Sequence, residues 1–247
     1  MPLFRRKRKI NNDSLKNGVG LVAIDDSKSI VAEQFRTVRT NIQFSSVDEQ
    51  VQTLLITSSD PSEGKSTVSM NLAAVWAQQG QKVLVLDADL RRPTVHRTFS
   101  LSNRAGLSTY LSHLASYEDI IQESGMENLS VITSGPIPPN PAELLNSKGL
   151  SDLLEQLKAN FDVVILDAPP VNTVTDAQLL AHKTDGVILV VPQGIAEKSS
   201  VAHAVDMLKK VHANILGTVM NRFQSSKAAG YYGGYYGGYY GVDEKND

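Results

Sequence analysis

The sequence contains no cysteine in 247 residues, which excludes disulfides and thiolate metal sites. It also lacks any apolar run approaching the ~20 residues needed to span a bilayer. A basic run near the N-terminus, Arg5 to Lys9, is followed by polar residues rather than an apolar stretch, so no secretory signal is read there. Charge of one sign is not in excess: the formal net charge is −2, and no global pull toward nucleic acid follows. These absences are compatible with a cytosolic chain. The length fits one α/β domain with appendages and is enough to bury a large core.

The most informative stretch is Leu54 to Asn71, LLITSSDPSEGKSTVSMN. It reads as a buried strand, a turn of small residues and the start of a helix. The turn ends in Gly64-Lys65-Ser66-Thr67, the closing half of a Walker A phosphate loop; where the full pattern has its first glycine, this chain has Ser59. A tight turn before a helix aims several backbone N–H groups at one point, and the helix N-terminus adds partial positive charge. Ser62, Glu63, Gly64, Lys65, Ser66 and Thr67 are therefore the candidate ATP-binding residues, with Lys65 on the β- and γ-phosphates and the Ser66 hydroxyl on Mg²⁺. Gly64 lets the backbone approach phosphate without a Cβ in the way.

Two acidic motifs accompany the loop. Lys82 to Asp87 reads as a second buried strand and runs into Asp87-Ala88-Asp89-Leu90-Arg91-Arg92-Pro93. Carboxylates at the C-terminal edge of a parallel strand sit where open sheets bind ligands. Asp87 and Asp89 are thus candidates for catalysis or magnesium, while Arg91 and Arg92 either touch phosphates or are solvated. Phe161 to Asp167 is a strongly apolar strand ending in an aspartate, the logic of a Walker B carboxylate held near Mg²⁺, which takes one or two carboxylates plus phosphate oxygens and keeps several waters. Gly186–Pro192 and Ile215–Asn221 read as further strands, Ser199–Val211 as an amphipathic helix, and Asn221 as an amide available to a base. Short helices are expected around 107–114 and 118–122, and a strand at Leu129–Thr133. The four-proline stretch Ser134 to Leu145 reads as a stiff loop shaping a site edge. Alternating strands and helices predict a P-loop NTPase fold: a mostly parallel sheet with helices on both faces.

The ends carry different signals. Residues 1–28 read as a basic arm and polar linker. The arm is either a solvated segment or one drawn to an anionic membrane surface; no aromatics interleave its charges as a nucleic-acid stacking platform requires. Ser29 to Phe44 has helical periodicity, with Ile30, Phe35, Val38 and Ile42 on one stripe and Glu33, Arg36 and Arg39 on another face. That second face is either solvated or an oligomer contact. The domain is expected over 29–224 and a tail over 225–247. The tail holds GYYGGYYGGYYG, with six of the eight tyrosines; its glycine density and lack of aliphatic residues predict disorder. Tyr231, Tyr232, Tyr235, Tyr236, Tyr239 and Tyr240 look like the exposed acceptors of a kinase.

Taken together, these motifs resemble the bacterial tyrosine kinases of capsule and exopolysaccharide systems, in the stand-alone form of low-GC Gram-positive bacteria. The resemblance covers nearly all of residues 29–241. It rests on the E-x-x-R-x-x-R helix (Glu33, Arg36, Arg39), the Walker A loop, the VLDADLRRP motif, the proline loop, the Walker B strand and the tyrosine cluster. It implies a non-specific protein-tyrosine kinase that autophosphorylates those six tyrosines with ATP and Mg²⁺ and regulates polysaccharide synthesis. It implies a ring-shaped homo-oligomer formed partly through Glu33, Arg36 and Arg39. It also implies a membrane activator of the polysaccharide co-polymerase type that holds a cytoplasmic chain at the membrane, a cognate tyrosine phosphatase, and no nucleic-acid partner. Partitioning and septum-positioning ATPases of the same superfamily usually carry a lysine early in the phosphate loop, where this chain has Asp60. The alternatives are such a switch ATPase without kinase activity and a scaffold that binds nucleotide without turnover. In the kinase reading Lys65 serves the transferring phosphate, Asp87 takes the tyrosine proton, and Ser66, Asp89 and Asp167 hold the metal. An ordinary carboxylate near ~4 is a poor base for a phenol near ~10, but in a loose transition state the proton can leave late, so orientation outweighs basicity.

Overall fold

The computed structural model describes residues 14–45 and 51–223. The basic run and the tyrosine cluster lie outside these residues. Seven strands form one sheet: β1 (Thr53–Ser58), β2 (Val83–Asp87), β3 (Ile121–Glu123), β4 (Leu129–Ile132), β5 (Val163–Asp167), β6 (Gly186–Pro192) and β7 (Ile215–Asn221). Their spatial order is β3-β4-β2-β5-β1-β6-β7. Among the described residues only the β3–β4 pair is antiparallel; β1, β2, β4, β5, β6 and β7 pair in parallel. The near-continuous apolar strands follow from this, because helices cover both faces. Ile56 and Asp87 both stand opposite Asp167 in the register, so the ends of three adjacent strands meet at one point.

Eleven helices are described. α1 (Ser14–Asn17), α2 (Val22–Asp25), α3 (Ile30–Gln43) and α4 (Lys65–Ala77) come early in the chain; α5 (Val95–Thr98), α6 (Leu107–Leu111), α7 (Tyr117–Ile120) and α8 (Pro141–Asn146) follow β2 in sequence. α9 (Lys148–Asn160), α10 (Asp176–Ala181) and α11 (Lys198–Lys210) complete the set. The core divides into two clusters, one per sheet face, with Leu84 and Leu86 in one and Val83 and Val85 in the other. This is the period-two alternation of a strand buried on both sides.

α4 is buried around nearly its whole circumference, because the sheet covers one side and α2 and α3 cover the other. That arrangement corrects the linker reading of residues 14–27. Asn71 on α4 accepts the Ala23 N–H at 2.9 Å and donates to Gly20 O at 3.0 Å, and Gln78 donates to Ala23 O. The segment is held down here by these side-chain amides together with Ala23 in the core and Val19, Leu21 and Ile24 packed against it.

α3 also differs from its expected pattern. Ser29 caps it, accepting the Ala32 N–H. Its buried residues are Ala32, Arg39 and Ile42, while Ile30 is 80 % exposed. Positions three apart in a helix of 3.6 residues per turn drift by about 60° per step, so Glu33, Arg36 and Arg39 do not share a face. Arg36 pairs with Glu33 at 2.8 Å on the outside, whereas Arg39 turns inward and donates from Nη1 to Val75 O of α4. In the segment expected to be helical at 118–122, the helix stops at Ile120 and the chain enters β3. Cross-strand pairing with β4 wins over local propensity there.

Candidate active site

The phosphate loop joins the end of β1 to α4. Gly64 precedes the helix in a left-handed conformation, φ 97°, and a Cβ added to it would lie 2.0 Å from Asn221 Nδ2. Only glycine satisfies both constraints. The Asn221 amide donates to Glu63 O at 2.9 Å and its oxygen accepts the Arg222 N–H. Asn221 therefore buttresses the loop from the end of β7, through hydrogen bonds to backbone groups. Ser62 is also left-handed, φ 64°, and its carbonyl accepts from Arg222 Nη2.

Ser59, which stands where the motif has glycine, is fully buried. Its hydroxyl donates to Glu63 Oε2 at 2.8 Å, and the Asp60 N–H donates to the same oxygen at 3.0 Å. A carboxylate four residues on thus closes the turn that glycine would otherwise supply. Burial raises the Glu63 pKa, opposed by these hydrogen bonds from Asp60 and Ser59. The Glu63 side chain is committed to this closure, so its backbone is the part left to meet a phosphate.

The catalytic candidates converge. Lys65 Nζ lies 2.9 Å from Asp89 Oδ2 and 3.9 Å from Asp167 Oδ1. Burial alone would lower the lysine pKa, but the charges of Asp167 and Asp89 outweigh it and the ammonium is held. Asp87 is fully buried. Its Oδ1 accepts the Asp89 N–H, and its Oδ2 accepts the N–H groups of Thr94 and Val95 at 3.2 and 3.1 Å. Burial first, then the charges of Asp167 and Asp89, push its pKa up to about 8. The carboxylate of Asp89 in turn accepts the Arg92 N–H, so the whole segment after β2 is wrapped around the two acids.

Asp167 at the end of β5 is fully buried too, and burial raises its pKa, with Lys65 and the Ser66 and Ser69 hydroxyls pulling it back. Ser69 Oγ lies 3.1 Å from its Oδ1, while Oδ2 has no hydrogen-bond partner. A buried carboxylate oxygen without a partner, beside the Ser66 hydroxyl, fits a hydrated divalent cation. Among the described residues no group of three or more His, Asp or Glu is placed to hold a metal alone, so such a cation takes its remaining ligands from water and substrate.

Arg91 takes neither of the places expected for it. Its Nε and Nη2 donate to the two oxygens of Asp176 at 2.8 and 3.0 Å, a two-toothed pair with a fully buried carboxylate. Asp176, Ser69 and the Ser59–Glu63 closure are the supporting residues that the motifs alone did not reveal. The last carried a usable signal, a carboxylate four residues after the misplaced serine.

The matched family model covers residues 50–230 and describes a ParA-type domain, the NUBPL iron-transfer P-loop NTPase. The tyrosine-protein kinase YwqD of Bacillus subtilis is 49 % identical over 215 residues, 86 % of this chain and 91 % of that protein. The chain belongs to the bacterial tyrosine kinases. The putative tyrosine-protein kinase CapB of Staphylococcus aureus is 41 % identical, over 84 % of this kinase and 91 % of CapB. Among solved structures, the kinase domain of Escherichia coli ETK has a TM-score of 0.82 at 35 % identity, covering 92 % of this chain and 86 % of that one. The chimerical protein CapA2B2 has a TM-score of 0.80 at 43 % identity, covering 83 % and 90 %. The septum-site protein MinD of Pyrococcus horikoshii is more distant, 25 % identical with a TM-score of 0.61 over 71 % and 72 %. The fold is thus common to these kinases and the MinD ATPase, while the higher sequence identity lies with the kinases. No described helix of this kinase is long and apolar enough to cross a membrane.

Proposed function

We propose that this kinase transfers the γ-phosphoryl group of ATP to Tyr231, Tyr232, Tyr235, Tyr236, Tyr239 and Tyr240 of a neighbouring copy, and that the reaction regulates synthesis of a capsular or extracellular polysaccharide. The observation that carries the reading is the convergence of Lys65, Asp87, Asp89 and Asp167 at the ends of three adjacent strands beside the phosphate loop. Phosphoryl transfer asks mainly for position and charge neutralisation, because its transition state is loose. Lys65 and the loop N–H groups from Ser62 to Thr67 serve the phosphates. Ser66 and Asp167, with Asp89 beside them, would hold Mg²⁺, which would supply charge neutralisation for the phosphates.

Asp87 is the base in this scheme. Its pKa near 8 narrows the gap to a phenol at ~10 from about six units to about two. Its position is set by three backbone N–H groups, so its remaining lone pair has a fixed direction. The assembly is a homo-oligomer, with Glu33 and Arg36 at the outer face of α3 as contact residues. An activating membrane protein and a cognate phosphatase complete the cycle and place the kinase at the membrane surface.

The test is incubation of the purified kinase, with and without a candidate activator's cytoplasmic segment, in γ-labelled ATP and Mg²⁺. Label on protein tyrosine, lost in Lys65→Met, is the expected result. Free phosphate without phosphotyrosine would make the chain a switch ATPase, and neither product would make it a scaffold.

A further inference from the structure

Asp60 poses an electrostatic problem. It places a carboxylate within the loop that must accept a polyphosphate, and unlike charges in adjacent positions would serve binding better. The structure shows where that carboxylate goes. Its Oδ2 accepts a short hydrogen bond from the Ser200 hydroxyl, three residues into α11. The same hydroxyl oxygen accepts from Asn172 Nδ2 at 2.9 Å, and Asn172 also donates to Ser200 O at 2.9 Å. Asn172 stands five residues beyond Asp167, and its own N–H donates to Ser59 O.

Ser200 has one hydrogen to give, and it goes to the carboxylate; its lone pair accepts a hydrogen of the Asn172 amide, whose own oxygen is buried without a hydrogen-bond partner. Asp60 is further fixed through its backbone, with its N–H on Glu63 and its carbonyl accepting from Ser58 Oγ. Three segments remote in sequence therefore meet on one hydroxyl: the phosphate loop, the chain after β5 and the start of α11.

We propose that Ser200 is a positioning residue for ATP binding, which turns the Asp60 charge away from the polyphosphate, with Asn172 fixing the direction of its hydroxyl. The proposal rests on the reading that residues 62–67 hold the ATP phosphates. Without Ser200 the carboxylate is released onto a loop whose amides point at anions, and repulsion lowers ATP affinity. The effect falls on binding and not on the transfer step, because Asp60 has no contact with Lys65, Asp87, Asp89 or Asp167.

The test is S200A, with S200T and the double variant S200A/D60N, read by ATP titration of phosphotyrosine formation and by displacement of a fluorescent ATP analogue. S200A should raise KM for ATP about tenfold, equivalent to ~1.4 kcal/mol of added repulsion, with kcat within about a factor of two. S200T, which keeps the hydroxyl, should restore KM; S200A/D60N, which removes the charge, should restore it as well. The KM rise in S200A should shrink at high salt, as released surface charge is screened. An unchanged KM in S200A, or a double variant as weak as S200A, overturns the charge-steering role and leaves the junction purely structural. If S200A does not fold, D60N alone decides, because it must bind ATP at least as well as the unmodified kinase. A kinase that forms no phosphotyrosine but binds the analogue sinks the functional reading while leaving this inference testable by displacement.

Discussion

Lys65 and Asp89 are bonded to each other at 2.9 Å, so the γ-phosphate and an aspartate compete for one ammonium. Asp89→Asn should release that competition. A charge-assisted bond contributes about 1.5 kcal/mol, so ATP measured in EDTA should bind about tenfold more tightly to the variant. Phosphotyrosine formation with Mg²⁺ should fall at the same time, since Asp89 is proposed to stand at the metal. Isothermal titration in EDTA checks the first part; weaker binding there would show that Asp89 does not restrain the lysine.

Asp87 makes the stability of the fold sensitive to pH. Its folded pKa near 8 lies above its ordinary value of 3.8, so between about pH 4 and pH 8 the folded chain binds more protons than the unfolded one. Stability then falls as pH rises through that window, and below it the group is neutral in both states and costs nothing. Asp167 is shifted in the same direction and adds to the slope, while the raised pKa of Lys65 keeps it charged throughout. The urea midpoint without nucleotide should be lower at pH 8 than at pH 5, and Asp87→Asn should flatten the difference. An equal slope in the variant would remove Asp87 as its source.

The two arginines of α3 separate in a way that decides how an oligomer test must be run. Arg39→Ala removes a buried bond to Val75 O and leaves a carbonyl and a cavity, so it should cost about 1–3 kcal/mol. Arg36→Ala breaks an outer pair with Glu33 and an exposed bond to Ser27 O, and should cost about 1 kcal/mol. Loss of oligomer mass in Arg36→Ala, with thermal stability of the monomer unchanged, would support the outer face as a contact. Loss in Arg39→Ala alone would point to misfolding of α3.

Gly64→Ala should weaken ATP binding by at least about tenfold, because the loop must shift to relieve both a left-handed φ and the clash with Asn221. Asn221→Ala should cost less, since it removes a buttress and leaves the loop sequence intact. Analogue displacement ranks the two; a larger loss in Asn221→Ala would return a direct ligand role to that amide.

How much of this was legible follows from where the information sits. β1, β2, β5 and β6 are apolar runs buried along nearly their whole length, β7 is a half-buried edge strand, and the carboxylates that end β2 and β5 are marked by their neighbours in sequence. α9 also announces itself, through Leu150, Leu153, Leu154 and Leu157 on one buried stripe, yet no phosphate or metal motif draws attention to it. Other features depend on residues far apart. Arg91 meets Asp176 across 85 positions and Asp60 meets Ser200 across 140, and no local pattern joins such pairs. Arg39 was readable only as one of three charges at equal spacing; that it turns inward depends on α4 lying against α3. Residues 19–24 dock through Ala23 and its apolar neighbours and through amide bonds from Asn71 and Gln78, and the amide bonds are what hydrophobic periodicity does not register.

The final prediction concerns the direction of transfer. β7 ends at Asn221, bonded to Glu63 O, and Arg222 is bonded to Ser62 O, so the chain leaves the fold beside the phosphate loop. Eight positions separate Phe223 from Tyr231, at most about 26–29 Å when extended. That reach is short for a tyrosine that must meet the γ-phosphate of its own site, and a neighbour's site in an oligomer is open to it as well, so transfer between chains is the expected route. Each phosphate adds about −1.5 to −2 charges, so a fully modified tail is repelled by Asp87, Asp89 and Asp167 and by the other tails. Phosphorylation should therefore release the tail and loosen the oligomer. The decisive experiment mixes a Lys65→Met chain carrying the intact tail with an active chain whose six tail tyrosines are phenylalanine. Phosphotyrosine on the Lys65→Met chain, followed by a fall in sedimenting mass, is the expected outcome. No phosphotyrosine there, while the active chain still modifies an added tyrosine peptide, would establish transfer within one chain.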